Sequence, residues 1–545
     1  MSEDRTPDLY PFGPGVVLPR GGAAEVGNKA WNLMRMAAAG LRVPPGFALP
    51  TGWCQRFHAA GASPDAARRQ PKPDATLAAA LRRGIAGLEQ VSGLGFGSAR
   101  RPLLVSVRSG APVSMPGMLE TVLDIGLNQE TVEGLIRQTG NPRLAWDSYR
   151  RLVRQFAGVV AGLPAEPFDA VIASVTGNAQ DEPAGGFDHI TLRAMTFGML
   201  KRYEDLAGEP FPEDVYVQLG RASAAVFASW EAPKAVTYRK LNGIADSMGT
   251  AVTVQTMVFG NAGGASGAGV GFTRDPATGA RTLYVDFQFN GQGEDVVAGR
   301  QVLNDNERLS RRLPLLVTEL EATCHTLEAL FGDAQDFEFT LQSGSLYLLQ
   351  TRNAKTTPWA ALRIAVELVE EGLITPAEAL ARLRAIDLDS ITRSRLAAES
   401  GQLLATARVA CPGIATGAIA LSPEAAERMA EAGQKVILVR REIATEDIAG
   451  LARAEGTLTA TGGRTSHAAV VARQLGKVCL VGCTALAIDL ARQQCRIGER
   501  VLDEGDTISL DGNEGRIFAG ALEVVTERPE RELAAIRDWR RAVAA

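Results

Sequence analysis

Apolar and polar positions follow two rhythms along this chain, and the places where the rhythm changes mark its parts. GNKAWNLMRMAAAG (27–40) repeats apolar residues at helical spacing and stops on Gly40, a residue suited to end a helix. VPPGFALPT (43–51) has the Pro-Gly punctuation that precedes a strand, and RPLLVSVRSG (101–110) reads as a buried strand running into a glycine turn. Residues 129–245 are polar and largely helical. Strands return with AVTVQTMVFG from 251, then a glycine-rich stretch NAGGASGAGVGFTRDPATG (261–279), then TLYVDFQFNGQGEDVVAG (282–299). In DFEFTLQSGSLYLLQTRN (336–353) two alternating runs flank Ser343-Gly344-Ser345, which predicts a hairpin with a three-residue loop centred on Gly344. Residues 356–400 form a charged amphipathic stretch that predicts a helical connector. Short apolar runs (KVILVRRE, EGTLTATGG, VCLVGC, DTISLDG) then build a second β-rich unit with one marked helix after His467. The tail ERELAAIRDWRRAVAA is helical, and no fold-scale repeat is visible.

A chain of 545 residues exceeds one ordinary core, so two to four domains are expected, in a multidomain α/β and α+β fold. The apolar share of 46% and the charged share of 22% are those of a globular protein. Net charge is −5 without a long basic or acidic run, which points to neither nucleic acid nor a membrane surface. Met-Ser-Glu-Asp-Arg-Thr starts no signal peptide, and no window reaches about 18 uninterrupted apolar residues, so the expected location is cytoplasmic. The six cysteines (54, 324, 411, 479, 483, 495) show no zinc-like pairing and are expected to be core thiols in a reducing compartment.

Two places carry chemistry. In TGGRTSHAAVVARQLGK (461–477) two glycines end a strand, Thr465 or Ser466 can cap a helix, and His467 falls in the first helical turn. Free N–H groups and the positive end of the dipole gather there, which suits a group that becomes a phosphoramidate. A neutral imidazole is the required nucleophile, and with a reference pKa of about 6.5 most of it is neutral at pH 7. A lone histidine there is equally a capping or a core residue. The second place is the hairpin. With a three-residue loop, Glu338 would lie opposite Gln350, and Asp336 and Arg352 would join them on one face. Such a face could hold Mg²⁺ and phosphate oxygens, or could be only an exposed polar face. No G-x4-G-K-[ST] loop is present; the glycine-rich stretch 260–271 could instead fold over phosphates as a strand-loop-strand flap, or be a turn-rich loop.

GTLTATGGRTSHAAVVARQLGKVCLVGC closely resembles the phosphohistidine segment of the pyruvate phosphate dikinase family and related phosphoenolpyruvate-utilising enzymes. GNKAWNL, LLVSVRSGAPVSMPGMLETVLDIGLN, GFTRDPATG, GQGEDVVAG and the hairpin resemble that family's ATP-grasp domain, in the same order. The resemblance implies an ATP-grasp domain over 1–355 with a helical insertion at about 129–245. A helical linker (356–404), a swivelling phosphohistidine domain (405–525) and a helical tail (526–545) follow. It implies that His467 carries the phosphoryl group, with Thr465 beside it. Lys29 and Arg108 would contact nucleotide phosphates, and Asp336, Glu338 and Gln350 would take the Mg²⁺ and γ-phosphate side, with Arg352 in the same motif. Arg464 stands where the family usually has methionine, and Gly264 where it usually has glutamate.

The activity this implies is an ATP-dependent phosphotransferase that consumes ATP and phosphate and phosphorylates its own histidine. The family's C-terminal barrel is not seen in these residues, so the expected acceptor is pyruvate on a separate phosphoenolpyruvate/pyruvate-binding barrel protein. Alternatives are a small-molecule phosphotransferase acting on alcohols, phenols or antibiotics, and a non-catalytic regulatory remnant. Self-association is left open, and neither nucleic acid nor membrane is expected as a partner.

Overall fold

The computed structural model describes residues 8–59, 75–113, 115, 118–177, 186–293, 306–397, 401–443, 447–462, 472 and 475–544. The chain is a multidomain mixture of α and β structure with several separate sheets. It divides into two compact units, Met1–Ser266 with Phe339–Thr351, and Gly267–Glu338 with Arg352–Ala545.

The first unit is built on five antiparallel strands, β1 (Tyr10–Phe12), β2 (Gly46–Leu49), β3 (Val105–Gly110), β4 (Thr121–Ile125) and β5 (Ala251–Thr256), in the order β1-β2-β5-β3-β4. Alternation in VSVRSG and AVTVQT sorts the two faces. Val105, Val107, Val252 and Val254 enter a large apolar core, while Ser106, Arg108, Thr253 and Gln255 lie on the opposite, polar face. The core is closed by helices α2 (Ala75–Ser92), α3 (Pro142–Val159), α4 (His189–Ala207) and α5 (Val215–Ala228). Three of them begin on a side-chain cap: Asn141 accepts from Leu144 N–H, Asp188 from Ile190 and Thr191, and Asp214 from Tyr216 and Val217. Helix α1 (Gly22–Ala38) begins five residues before Gly27 and is broken there, where the backbone takes φ 77°.

In the second unit, β6 (Gly267–Phe272) pairs antiparallel with β7 (Tyr284–Phe289); the sheet is ordered β7-β6-β8-β9, and its hairpin strands β8 (Gln335–Gln342) and β9 (Ser345–Asn353) are divided between the units, Phe339–Thr351 belonging to the first. The glycines inside β6 have a packing reason. A Cβ on Gly267 would come within 2.1 Å of the Phe287 ring, and one on Gly271 within 2.6 Å of the Phe337 ring. Helix α6 (Pro314–Phe331) brings Glu328 to Arg274, just past β6. It is followed by α7 (Pro358–Glu370) and α8 (Pro376–Leu383), each opened by a Thr-Pro pair in which Thr357 or Thr375 caps and the proline takes the first turn.

The connector is therefore helical only as far as Leu383. Beyond a short 3₁₀ turn it becomes strand β10 (Arg393–Leu396). A helical rhythm read through to residue 400 misses it, because β10 gains its regularity from a partner far along the chain. Next come β11 (Leu403–Thr406), β12 (Arg408–Cys411), β13 (Ile414–Ala420), helix α9 (Pro423–Glu431), β14 (Val436–Arg440), helix α10 (Ile448–Arg453), β15 (Gly456–Thr459) and β16 (Val478–Val481). The chain continues through β17 (Leu486–Asp489), β18 (Gln494–Ile497), β19 (Arg500–Asp503), β20 (Thr507–Asp511), β21 (Arg516–Ala519) and β22 (Val524–Glu527) to helix α11 (Glu530–Ala544). Eight of these strands form one sheet, β11-β21-β20-β13-β14-β15-β16-β12, whose central members β13 to β16 run parallel. Both faces of this sheet are covered, which is why β14 reads as an unbroken apolar run. Ile437 and Val439 pack toward β17–β19, and Val436 and Leu438 pack with α9 and α10. β10 and β22 pair antiparallel, Arg393 opposite Glu527 and Leu396 opposite Val524, so the strands before and after this domain form one ribbon. The six cysteines are buried thiols. Burial pushes Cys54 and Cys495 up to about 11 and Cys324 up to about 12, so all three are neutral thiols at pH 7. Among the described residues no helix is long and apolar enough to cross a membrane.

Candidate active site

Lys29 and Arg108 are brought to one face of the five-stranded sheet by a close approach of two backbones. A Cβ on Gly27 would stand 1.8 Å from the Gly110 carbonyl oxygen, so the break in α1 is possible only because residue 27 is glycine. Asn28 N–H then donates to Ala111 O at 3.0 Å, which fixes the start of the following helical turn on the end of β3. Lys29 stands in that turn, half-buried. A side-chain carbon at Gly110 would lie 3.6 Å from Lys29 Cβ, and Arg108, two residues earlier, projects from the same face as Gly110. One turn further along α1, Asn32 is buried and donates from Nδ2 to Thr351 O at 2.9 Å. Arg108 Nη1 donates to Leu349 O at 3.3 Å. Gln350 lies between those two carbonyls, so within the first unit its backbone runs beside Arg108 and beside the helix that carries Lys29.

The hairpin turns over two residues, not three. Ser343 (φ 49°) and Gly344 (φ 81°) both take positive φ, as a tight hairpin turn requires. Strict pairing from that turn would set Asp336 against Thr351. Instead Arg352 Nε donates to Asp336 at 2.7 Å and Gln335 Nε2 to Asn353 Oδ1 at 2.9 Å. β9 therefore carries one residue more than β8. The slip shows at Leu349–Gln350, two successive half-buried residues in an otherwise alternating strand. The extra residue that the sequence places in the loop is a bulge in the strand.

On β8, Phe337 and Phe339 are buried while Asp336 and Glu338 are half-buried on the other side. Burial raises the Asp336 carboxyl above its ordinary range, outweighing the pull of Arg352, and the neighbouring charge of Glu338 pushes in the same direction as burial. Two carboxylates on one strand are hard-oxygen donors of the kind Mg²⁺ takes together with substrate phosphates and water. Among the described residues no group of three or more His, Cys, Asp or Glu gathers as a metal cage. The glycine-rich stretch braces the hairpin turn: Ser343 N–H donates to Ser266 Oγ, Gly344 N–H to Ala265 O, and Phe259 N–H to Gln342 Oε1. Its flanking strands, β5 and β6, belong to different sheets. At Gly264 a Cβ would meet nothing within 4 Å, so the glutamate that the family usually has there would find space, although φ 57° favours glycine.

Thr465 and His467, with Arg464 and Ser466, lie outside the described residues. What leads to them is defined. Residues 460–477 join β15 to β16, two neighbouring parallel strands, and so leave from the carboxyl end of the sheet's parallel centre. In open α/β sheets ligands bind at that end. Thr461 donates from N and Oγ1 to Arg441 O, and Thr459 Oγ1 donates to Thr461 O. The other three histidines are engaged elsewhere: His58 with Phe227 O at 3.0 Å, His325 beside Arg281, and His189 in the first turn of α4.

Residues 23–314 match the family model described as pyruvate phosphate dikinase, AMP/ATP-binding domain, and residues 432–515 match that of the PEP-utilising enzyme, mobile domain. The chain belongs to the pyruvate phosphate dikinase family. Three curated relatives, all called pyruvate, phosphate dikinase, are similar along nearly all of it. The Rhizobium meliloti protein is 39% identical over 549 residues, or 97% of this chain and 60% of the relative. The Clostridium symbiosum protein is 41% identical over 91% of this chain and 56% of the relative, and a Zea mays form is 40% identical over 94% and 57%. The chain thus spans somewhat more than half the length of these dikinases.

Sequence reasoning did not single out Asn32, whose partner is 319 positions away. Nor did it single out Arg274 of GFTRDPATG, which is fully buried on Glu328 (2.9 Å, twice), Glu367 (2.5 Å) and Glu371 (2.9 Å). Its three acidic partners come from α6 and from α7 and the residue just past its end. An Arg inside a short glycine-rich motif was the available signal, but its acidic partners lie 54 to 97 positions away.

Proposed function

We propose that this chain is an ATP-dependent phosphotransferase that phosphorylates its own His467 and hands the phosphoryl group to an acceptor. The reading rests on one observation: the match to the dikinases runs through both the AMP/ATP-binding and the mobile-domain modules, in order and at about two residues in five. In this reading ATP and phosphate are consumed, AMP and pyrophosphate leave, and the β-phosphoryl stays on the histidine. Lys29 and Arg108 offset phosphate charge, and Gln350 offers an amide to the phosphate oxygens. Asp336 and Glu338 are the residues that would hold Mg²⁺, which when bound neutralises charge on the phosphates. The protein's share of phosphoryl transfer is positioning and charge stabilisation, for which cations, an amide and hard-oxygen ligands suffice. Pyruvate, named in the relatives, is the proposed final acceptor.

The test is incubation with β-³²P- and γ-³²P-labelled ATP, phosphate and Mg²⁺. Acid-labile protein label from the β-labelled nucleotide is expected, and it should be absent in His467→Ala while nucleotide binding persists. Undiminished label in that variant would remove His467 from the role, and no label in the native chain would remove the reading itself.

A further inference from the structure

We infer that Asn32 is a positioning residue for phosphoryl transfer, acting through the bulged segment of β9 that carries Gln350. This deepens the proposed function and rests on it. A bulge removes one residue from regular ladder pairing, so the backbone there needs other partners to stay in one place. β9 obtains three, all in the first unit. Leu348 N–H donates to Arg42 O at 2.9 Å, Arg108 Nη1 donates to Leu349 O at 3.3 Å, and Asn32 Nδ2 donates to Thr351 O at 2.9 Å. Gln350 is thereby held from both sides, by a guanidinium before it and an amide after it.

The two donors differ in what else they do. Arg108 is itself a phosphate-contacting candidate, and a guanidinium that turns toward phosphate loosens its hold on Leu349. Asn32 is 6% exposed, sits one helical turn after Lys29 on α1, and faces Thr351, which is 2% exposed. Water reaches neither group easily, so the bond has no ready substitute. Asn32 therefore ties the helix that presents Lys29 to the strand that presents Gln350, and keeps them in register when Arg108 is drawn to the nucleotide.

Asn32→Asp keeps the shape and removes the donor, setting a carboxylate against a carbonyl; Asn32→Ala removes the donor without the charge. Either should slow formation of phosphohistidine from ATP by about 10- to 100-fold, the scale of a small misplacement of a reacting group. The affinity for AMP should change less than about threefold, far short of the tenfold per 1.4 kcal/mol that marks a lost contact. In a Gln350→Ala background the same substitution should cost little further rate, because the side chain it positions is gone. Amide hydrogen exchange at residues 349–352 should speed up in Asn32→Ala while β2 and β5 stay protected. Full additivity with Gln350→Ala, an unchanged rate, or unchanged exchange at 349–352 would each overturn the inference. A native chain that forms no phosphohistidine would fail on the functional reading instead, and the exchange measurement would still decide whether Asn32 holds the strand. If Asn32→Asp does not fold, Asn32→Ala is read by the same criteria.

Discussion

At Glu338 a single carboxylate separates two readings of the hairpin. If it serves only as a polar face, its loss is a surface event worth a few tenths of a kcal/mol. If it holds Mg²⁺ against phosphate, Glu338→Ala should cut autophosphorylation by at least about 10²-fold with little change in nucleotide binding. Quenched-flow labelling at saturating Mg²⁺ measures the difference. Arg274 makes the opposite kind of claim, one about stability. One guanidinium answers three carboxylates, Glu328 buried with it and Glu367 and Glu371 at the edge, with Arg281 and Arg363 each reaching one of the outer two. Arg274→Met leaves Glu328 buried without its partner, and an uncompensated buried charge costs about 3–5 kcal/mol. Chemical denaturation of the variant should show that loss.

The broken helix α1 concentrates its cost in one position. Gly27→Ala asks an L side chain to take positive φ, worth about 1–2 kcal/mol, and drives Cβ into the Gly110 carbonyl oxygen. The expected outcome is a loss of at least about 2 kcal/mol in stability together with weaker ATP binding, because Lys29 moves with the turn. Calorimetric unfolding and titration with ATP read the two effects separately. The elements show what the sequence could convey. The apolar run ending in VSVRSG placed Arg108 on a strand beside a glycine turn, as β3 shows, because that signal is local. The kink at Gly27 was not legible, since it depends on a carbonyl 83 positions away in sequence. β10 was lost inside the rhythm of the preceding helices, having no regular pattern apart from β22. The residue assigned to the hairpin loop sits in a bulge instead, which only the partners Asp336–Arg352 and Gln335–Asn353 disclose.

At the scale of the molecule, the ribbon of β10 and β22 sets how the eight-stranded domain is wired to the rest of its unit. Arg393 pairs with Glu527 across the ribbon at 2.9 Å and lies over the Trp359 ring of α7 at 4.4 Å. Ala397 N–H donates to Glu523 O at 2.8 Å, so the ladder continues one step past the strands. The chain can therefore be shortened here. Joining Ala397 to Glu523 through Asn-Gly should close a two-residue hairpin of the favoured kind. The shortened protein should fold, with α7, α8 and α11 still packed around Leu362, Leu383, Leu533 and Ile536, and should bind ATP without ever accumulating acid-labile label. Circular dichroism and filter labelling test both halves of that expectation. The same ribbon has a mechanical consequence. Strands near full extension hardly lengthen, at about 3.3 Å per residue, whereas a two-stranded ribbon accepts more twist than a wide sheet. The joint it makes is thus stiff in tension and soft in torsion.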